Sequence, residues 1–154
     1  MRTEFAILGG GAWGLALAKL LSENGHQVRV WEYNQEFVKL LRQTHSNPFL
    51  LKDVTLPDNI FFSHDFAEVL TPETGFIIFA IPAQFLRASV KKAAPLIEKL
   101  PNLKAVINVA KGIEEHSLKR MSEVLAEELS PALAEKIVCL SGPSHAEEVA
   151  RRVP

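Results

Sequence analysis

Glu4-Phe5-Ala6-Ile7-Leu8-Gly9-Gly10-Gly11-Ala12-Trp13-Gly14 decides the fold: a short apolar run, then glycines spaced G-x-G-x-x-G, then a segment of helical period. The spacing alone is a weak signal. Placed after an apolar strand and at the head of a helix, it reads as the first turn of a dinucleotide-binding βαβ unit. Gly9 permits the tight turn, Gly11 lets the backbone approach a pyrophosphate, and Gly14 lets helix and strand pack closely. Free amides at the helix start, together with the positive end of its dipole, then hold the phosphates. The other reading of the motif is a glycine-rich turn that serves packing alone.

Glu32 follows Gly9 by 23 residues, at the predicted tip of the second strand. A carboxylate there accepts hydrogen bonds from the adenosine ribose hydroxyls and repels a 2′-phosphate. No arginine occurs at residues 33–36 to receive such a phosphate, so the pattern favours NAD over NADP. Otherwise Glu32 is a solvated residue ending its strand.

Working outward, apolar runs predict strands at Glu4–Leu8, Gln27–Glu32, Ile60–His64, Phe76–Ile81, Ala105–Val109 and Lys136–Leu140. Helical periods predict helices at Trp13–Glu23, Gln35–Thr44, Ala67–Leu70, Ala83–Leu100 and His116–Leu129. Nearly continuous apolar strands belong to a parallel sheet buried on both faces, and strand–helix alternation makes it a doubly wound, mostly parallel α/β sheet of the Rossmann type. Gly25 stands where the first helix stops, and Pro82 closes the fourth strand. Ser46 to Asn59, with Pro48 and Pro57, reads as a surface loop, and the chain is expected to end abruptly at Arg151-Arg152-Val153-Pro154 without a polar tail or terminal helix.

The 154 residues form one domain by length, spanning residues 1–154. Seventeen basic against eighteen acidic side chains leave a formal charge of −1, which argues against a nucleic-acid-binding face. The longest apolar run, Phe76 to Ala83, is too short to cross a bilayer, and no signal-peptide pattern opens the chain. A single cysteine, Cys139, forms no internal disulfide and suits a reducing cytoplasm. The histidines show no metal-ligand spacing, and no G-x-S-x-G elbow occurs.

Three further segments lie after predicted strands: Ile81-Pro82-Ala83, Asn108 to Glu114 containing Lys111-Gly112-Ile113-Glu114, and Ser141-Gly142-Pro143-Ser144-His145-Ala146-Glu147-Glu148-Val149. Loops at the carboxyl ends of a doubly wound sheet border one crevice. With the glycine loop, these segments resemble the bacterial NAD(P)-dependent glycerol-3-phosphate dehydrogenases, over the whole chain. The resemblance implies the cofactor-binding domain of a two-domain enzyme, cut short of the family's helical domain. It also implies reversible reduction of dihydroxyacetone phosphate to sn-glycerol 3-phosphate, for glycerophospholipid synthesis. The family's general acid/base lysine lies in that helical domain, so a chain of this length alone is expected to bind cofactor and turn over negligibly. A homodimer would form through the second domain.

Carried onto this sequence, the resemblance places Ala12 and Trp13 beside the cofactor phosphates, Pro82 at the nicotinamide wall and Ala146 on the cofactor. It sets Lys111 next to nicotinamide and substrate, and Gly142 and Ser144 on the substrate. NADPH-using members commonly carry a small residue and then a basic one where this chain has Glu32 and Tyr33, which again favours NAD. Leu50-Leu51-Lys52-Asp53 replaces the family's aromatic-Leu-Pro-Gly. Read without the resemblance, Lys111 is a solvated surface lysine and Trp13 a core residue. Ser144 is then a helix N-cap, with Glu147 completing a capping box. Two rival functions remain: an NAD(H)-sensing module, and a related two-domain dehydrogenase with another hydroxy or keto substrate. The first needs the glycine loop and Glu32 but has no use for Lys111 or Ser144.

Overall fold

The computed structural model describes residues 2–153; Met1 and Pro154, the ends of the expected 1–154 domain, lie outside it. In chain order the elements are β1 (Glu4–Leu8), α1 (Ala12–Glu23), β2 (Gln27–Trp31), α2 (Gln35–Thr44), β3 (Ser46–Asn47), β4 (Leu51–Thr55), β5 (Ile60–Ser63) and α3 (Phe66–Val69). There follow β6 (Thr74–Phe79), α4 (Ala83–Ile97), β7 (Ala105–Asn108), α5 (Met121–Glu128), α6 (Pro131–Ala134), β8 (Ile137–Cys139) and α7 (Ala146–Ala150). Six strands form one sheet in the order β5-β2-β1-β6-β7-β8, every pair parallel.

The apolar runs are continuous because each central strand feeds two cores. Ala6 and Leu8 of β1 join Ile77 and Phe79 of β6 against α4 and α5 on one face. Their neighbours Ile7 and Ile78 join α1 and α2 on the other. Successive strand residues point to opposite faces, so a Rossmann-type sheet covered by helices has no polar side to alternate with.

The expected strands and main helices are present, with most edges moved by a residue or two and the end of α4 by three. β6 begins at Thr74, whose hydroxyl and amide stay buried, and ends at Phe79; Ile81 leaves the ladder and Pro82 instead caps α4. Gly25 follows the end of α1 at φ 85°.

Three expectations need correction. Ser46 to Asn59 is not a structureless loop: β3 and β4 pair antiparallel, and Leu51, Val54 and Leu56 are buried in the α1 and α2 core. Its shape is set by Asn47, whose side-chain oxygen accepts the amides of Phe49 and Leu50. The helix predicted from His116 starts only at Met121, because His116 and Leu118 adopt left-handed backbone at φ 66° and 56°. A terminal helix does exist: α7 packs on α1 and buries Ala150. Among the described residues no helix is long and apolar enough to cross a membrane.

Candidate cofactor cleft

In sequence order the sheet grows from β1 through β2 to β5, then restarts on the other side of β1 with β6. The loops after β1 and β6 therefore diverge, and the crevice between them is where ligands bind in open α/β sheets. A cleft of about 550 Å³ opens there. It is lined by Gly11, Ala12 and Trp13 from the start of α1, Pro82 before α4, Lys111 after β7, and Gly142, Ser144 and Ala146 after β8.

The glycines divide the labour as their spacing suggests. Gly9 sits at φ 124°, and a Cβ on it would stand 2.4 Å from the Ala80 carbonyl oxygen of the neighbouring loop. A Cβ on Gly14 would stand 1.9 Å from the Gly9 carbonyl oxygen. These two close the turn and do not line the cleft. Gly11 caps α1 at φ −72°, and a Cβ there would meet nothing within 4 Å. Bare backbone beside open space, at the head of a twelve-residue helix whose first amides lack intrahelical partners, is a cradle for an anion.

Glu32 is placed otherwise than its sequence position suggested. It is 6 % exposed, tucked beneath the glycine loop, and does not line the cleft. Its Oε2 accepts the Gly10 amide at 3.1 Å and its Oε1 the Asn34 amide at 3.0 Å. Burial pushes its carboxyl upward, against the pull of these amide hydrogen bonds. Folding thus favours the protonated acid: the group's contribution to stability is fully present below its ordinary 4.5 and is lost as pH rises through the elevated value. Tyr33 projects into solvent and is also outside the cleft.

Across the cleft, the Lys111 ammonium lies 3.5 Å from the Gly142 carbonyl oxygen. Ser144 is close by, its Oγ 3.6 Å from where a Cβ on Gly142 would stand. Ser144 is not the N-cap expected of it: His145 caps α7, without a side-chain hydrogen bond, so no capping box forms there. Ser144 and His145 both face the cleft instead. Trp13 lines the cleft while its ring also packs on the α1 and α2 core. The apolar wall of Leu20, Ala80, Val109, Leu140 and Val149 went unnoticed in the sequence, where these residues are indistinguishable from ordinary core positions.

A second feature missed in the sequence is Arg87 on α4. Its Nε and Nη2 donate to both oxygens of Glu114, each at 2.8 Å, and it also reaches Glu127 and Glu128 of α5. Arg87 and the Ser117 hydroxyl hold the Glu114 carboxyl down at about 2. The sign is that of a depressed acid: the contact is fully present above the ordinary 4.5 and is lost as pH falls from there through about 2.

A family profile described as "NAD-dependent glycerol-3-phosphate dehydrogenase N-terminus" matches residues 4–154. The chain belongs to this family. It is 43 % identical over 151 residues to the glycerol-3-phosphate dehydrogenase [NAD(P)+] of Bacillus velezensis, covering 98 % of this chain and 43 % of that protein. The protein of the same description from Levilactobacillus brevis is 38 % identical over 152 residues, 99 % of this chain and 45 % of the relative. The crystal structure of glycerol-3-phosphate dehydrogenase from Coxiella burnetii superposes with a TM-score of 0.85 at 28 % identity, covering 99 % of this chain and 45 % of that one. The chain thus spans a little under half the length of the glycerol-3-phosphate dehydrogenases it matches.

Proposed function

We propose that this chain is the cofactor-binding domain of a cytoplasmic NAD-dependent sn-glycerol-3-phosphate dehydrogenase, which reversibly reduces dihydroxyacetone phosphate for glycerophospholipid synthesis. The observation that carries the reading is the meeting of Lys111, Gly142 and Ser144 opposite the glycine loop in one cleft. A sensing module would have no use for that second wall. In this reading the partners are the small triose phosphates and a second copy of the enzyme, met through the helical half, and not nucleic acid.

The cleft suits a dinucleotide because the free amides at the head of α1 face open space beside Gly11, where no side chain intervenes. Bound NADH supplies the hydride. Ala12 and Trp13 would contact the cofactor beside its phosphates, Pro82 would shape the wall near the nicotinamide, and Ala146 would contact the cofactor. Lys111 offers a cation, and Ser144 a hydroxyl donor, to the oxygen that gains charge on the substrate's C2 or to the substrate's phosphate end. The proton itself is moved by a general acid/base lysine of the helical half, as the family resemblance implies. Glu32 sets cofactor choice from below: each of its oxygens accepts one backbone amide and keeps a lone pair for a ribose hydroxyl, while its charge repels a 2′-phosphate.

Two experiments test this. The full-length protein should consume NADH with dihydroxyacetone phosphate; failure to do so while reducing another keto substrate would sink the proposed activity. In calorimetric titration, NADH should bind at least about tenfold more tightly than NADPH, about 1.4 kcal/mol. Glu32→Gln should narrow that gap by a similar factor, and an unchanged preference would remove Glu32 from cofactor selection. The 154-residue chain alone should bind NADH without measurable turnover.

A further inference from the structure

The segment from Lys111 to Arg120 contains no buried side chain. Ile113 and Leu118, its two large apolar residues, are both exposed, 55 % and 78 %. Its backbone passes through left-handed positions at Gly112, His116 and Leu118. Such a segment has no hydrophobic anchor, so its position is set by polar contacts. Within the segment, the Glu114 amide donates to the Lys119 carbonyl and the Leu118 amide to the Glu114 carbonyl, closing it on itself. This closed loop is fastened to the sheet's helical cover by the first two turns of α4 and by the Lys119 ammonium on Glu127 of α5.

On α4, two residues make the attachment. The Gln84 side-chain amide donates to the Ile113 carbonyl oxygen at 3.2 Å, and its oxygen accepts the Glu115 amide at 3.0 Å. Arg87 grips both carboxylate oxygens of Glu114, and its remaining donors tie the same guanidinium to Glu127 and Glu128. Three carboxylates around one guanidinium are balanced by Lys91 and Lys119 on the outside. The attachment point is next to the cleft: Pro82, which caps α4, lines it, and a Cβ on Gly112 would stand 3.2 Å from the Ala83 Cβ.

We propose that Gln84 and Arg87 are positioning residues that hold the Lys111 loop against α4 and thereby fix the Lys111 ammonium in the cleft. This rests on the catalytic reading of Lys111 given above. The fork geometry of arginine matters, because a lysine at position 87 would be a point charge unable to engage both oxygens of Glu114 and reach α5 at once. A displacement of an ångström at the ammonium is enough to cost a large factor in rate, while the cofactor, held by the glycine loop on the opposite wall, is untouched.

The test uses the full-length enzyme with Arg87→Lys and Gln84→Ala, each also combined with Lys111→Ala. Each single variant should lower kcat with dihydroxyacetone phosphate about tenfold, with KM for NADH within about twofold of wild type. In the Lys111→Ala background the same substitutions should change the residual rate by less than about twofold. A merely structural role would lower the melting temperature and leave kcat alone, or lower the residual rate of Lys111→Ala by the same factor again; either result overturns the proposal. If Lys111→Ala abolishes turnover while Arg87→Lys and Gln84→Ala match wild type, the positioning role alone fails. If Lys111→Ala keeps full activity, the catalytic reading fails and takes the positioning role with it.

Discussion

Replacing Lys111 with alanine in the full-length enzyme should lower kcat with dihydroxyacetone phosphate by about 10²–10³-fold, with NADH affinity changed no more than about threefold. The size follows from what the ammonium does. Reduction of a ketone builds negative charge on its oxygen, and a cation placed there beforehand stabilises that charge far more than it stabilises the neutral ketone. The selectivity follows from geometry, since Lys111 stands with Gly142 and Ser144 on the wall opposite the glycine loop. Steady-state kinetics with fluorescence titration of NADH separates the two effects. Full activity in Lys111→Ala would end the assignment of this lysine.

Gly14→Ala should destabilise the domain by about 3 kcal/mol or more, lowering Tm by roughly 10 °C. Two opposing terms decide the sign. Alanine within a helix ordinarily gains up to about 1 kcal/mol over glycine. Here its Cβ would stand 1.9 Å from the Gly9 carbonyl oxygen, a backbone atom that can move only with the turn itself. Overpacking against backbone outweighs propensity. Gly11→Ala supplies the contrast: with nothing within 4 Å and an unstrained backbone, its stability should stay within about 1 kcal/mol of wild type. Its methyl group would instead stand where the phosphates approach, so cofactor affinity should fall at least about tenfold. Thermal melts and calorimetry on the two variants separate folding from binding; matching losses in both would contradict the division of roles among the glycines.

The six sheet strands were readable because double-sided burial leaves them apolar end to end, as at Ala6-Ile7-Leu8 and Ile77-Ile78-Phe79. The β3–β4 hairpin was not, because Asp53 at φ 60° breaks the alternation that Leu51 and Val54 would otherwise display. Leu118 joined the apolar stripe of Met121 and Leu125 in the sequence, yet it projects into solvent, and the helix starts after it. Among the site residues, the cleft gathers most of those picked out by motif. Gly9 and Gly14 close the turn instead, and Tyr33 and Glu32 lie outside the cleft; for Glu32 the sequence shows a strand-end acid but not the amides of Gly10 and Asn34 that draw it inward. Arg87 was illegible for a different reason. Its partners lie 27 to 41 residues away, and an arginine in an amphipathic helix looks like any solvated one until those partners are in place.

The chain's lone thiol stands in a useful place. Cys139 is exposed at the end of the sheet's outermost strand, and the next residues, Leu140 and Ser141, already line the cleft. On these 154 residues a thiol-reactive fluorophore would therefore attach at one defined point beside the crevice, since Cys139 is their single cysteine. The natural sequence comes with its own attachment site for an optical reporter, whose emission would register cofactor entering and leaving in real time.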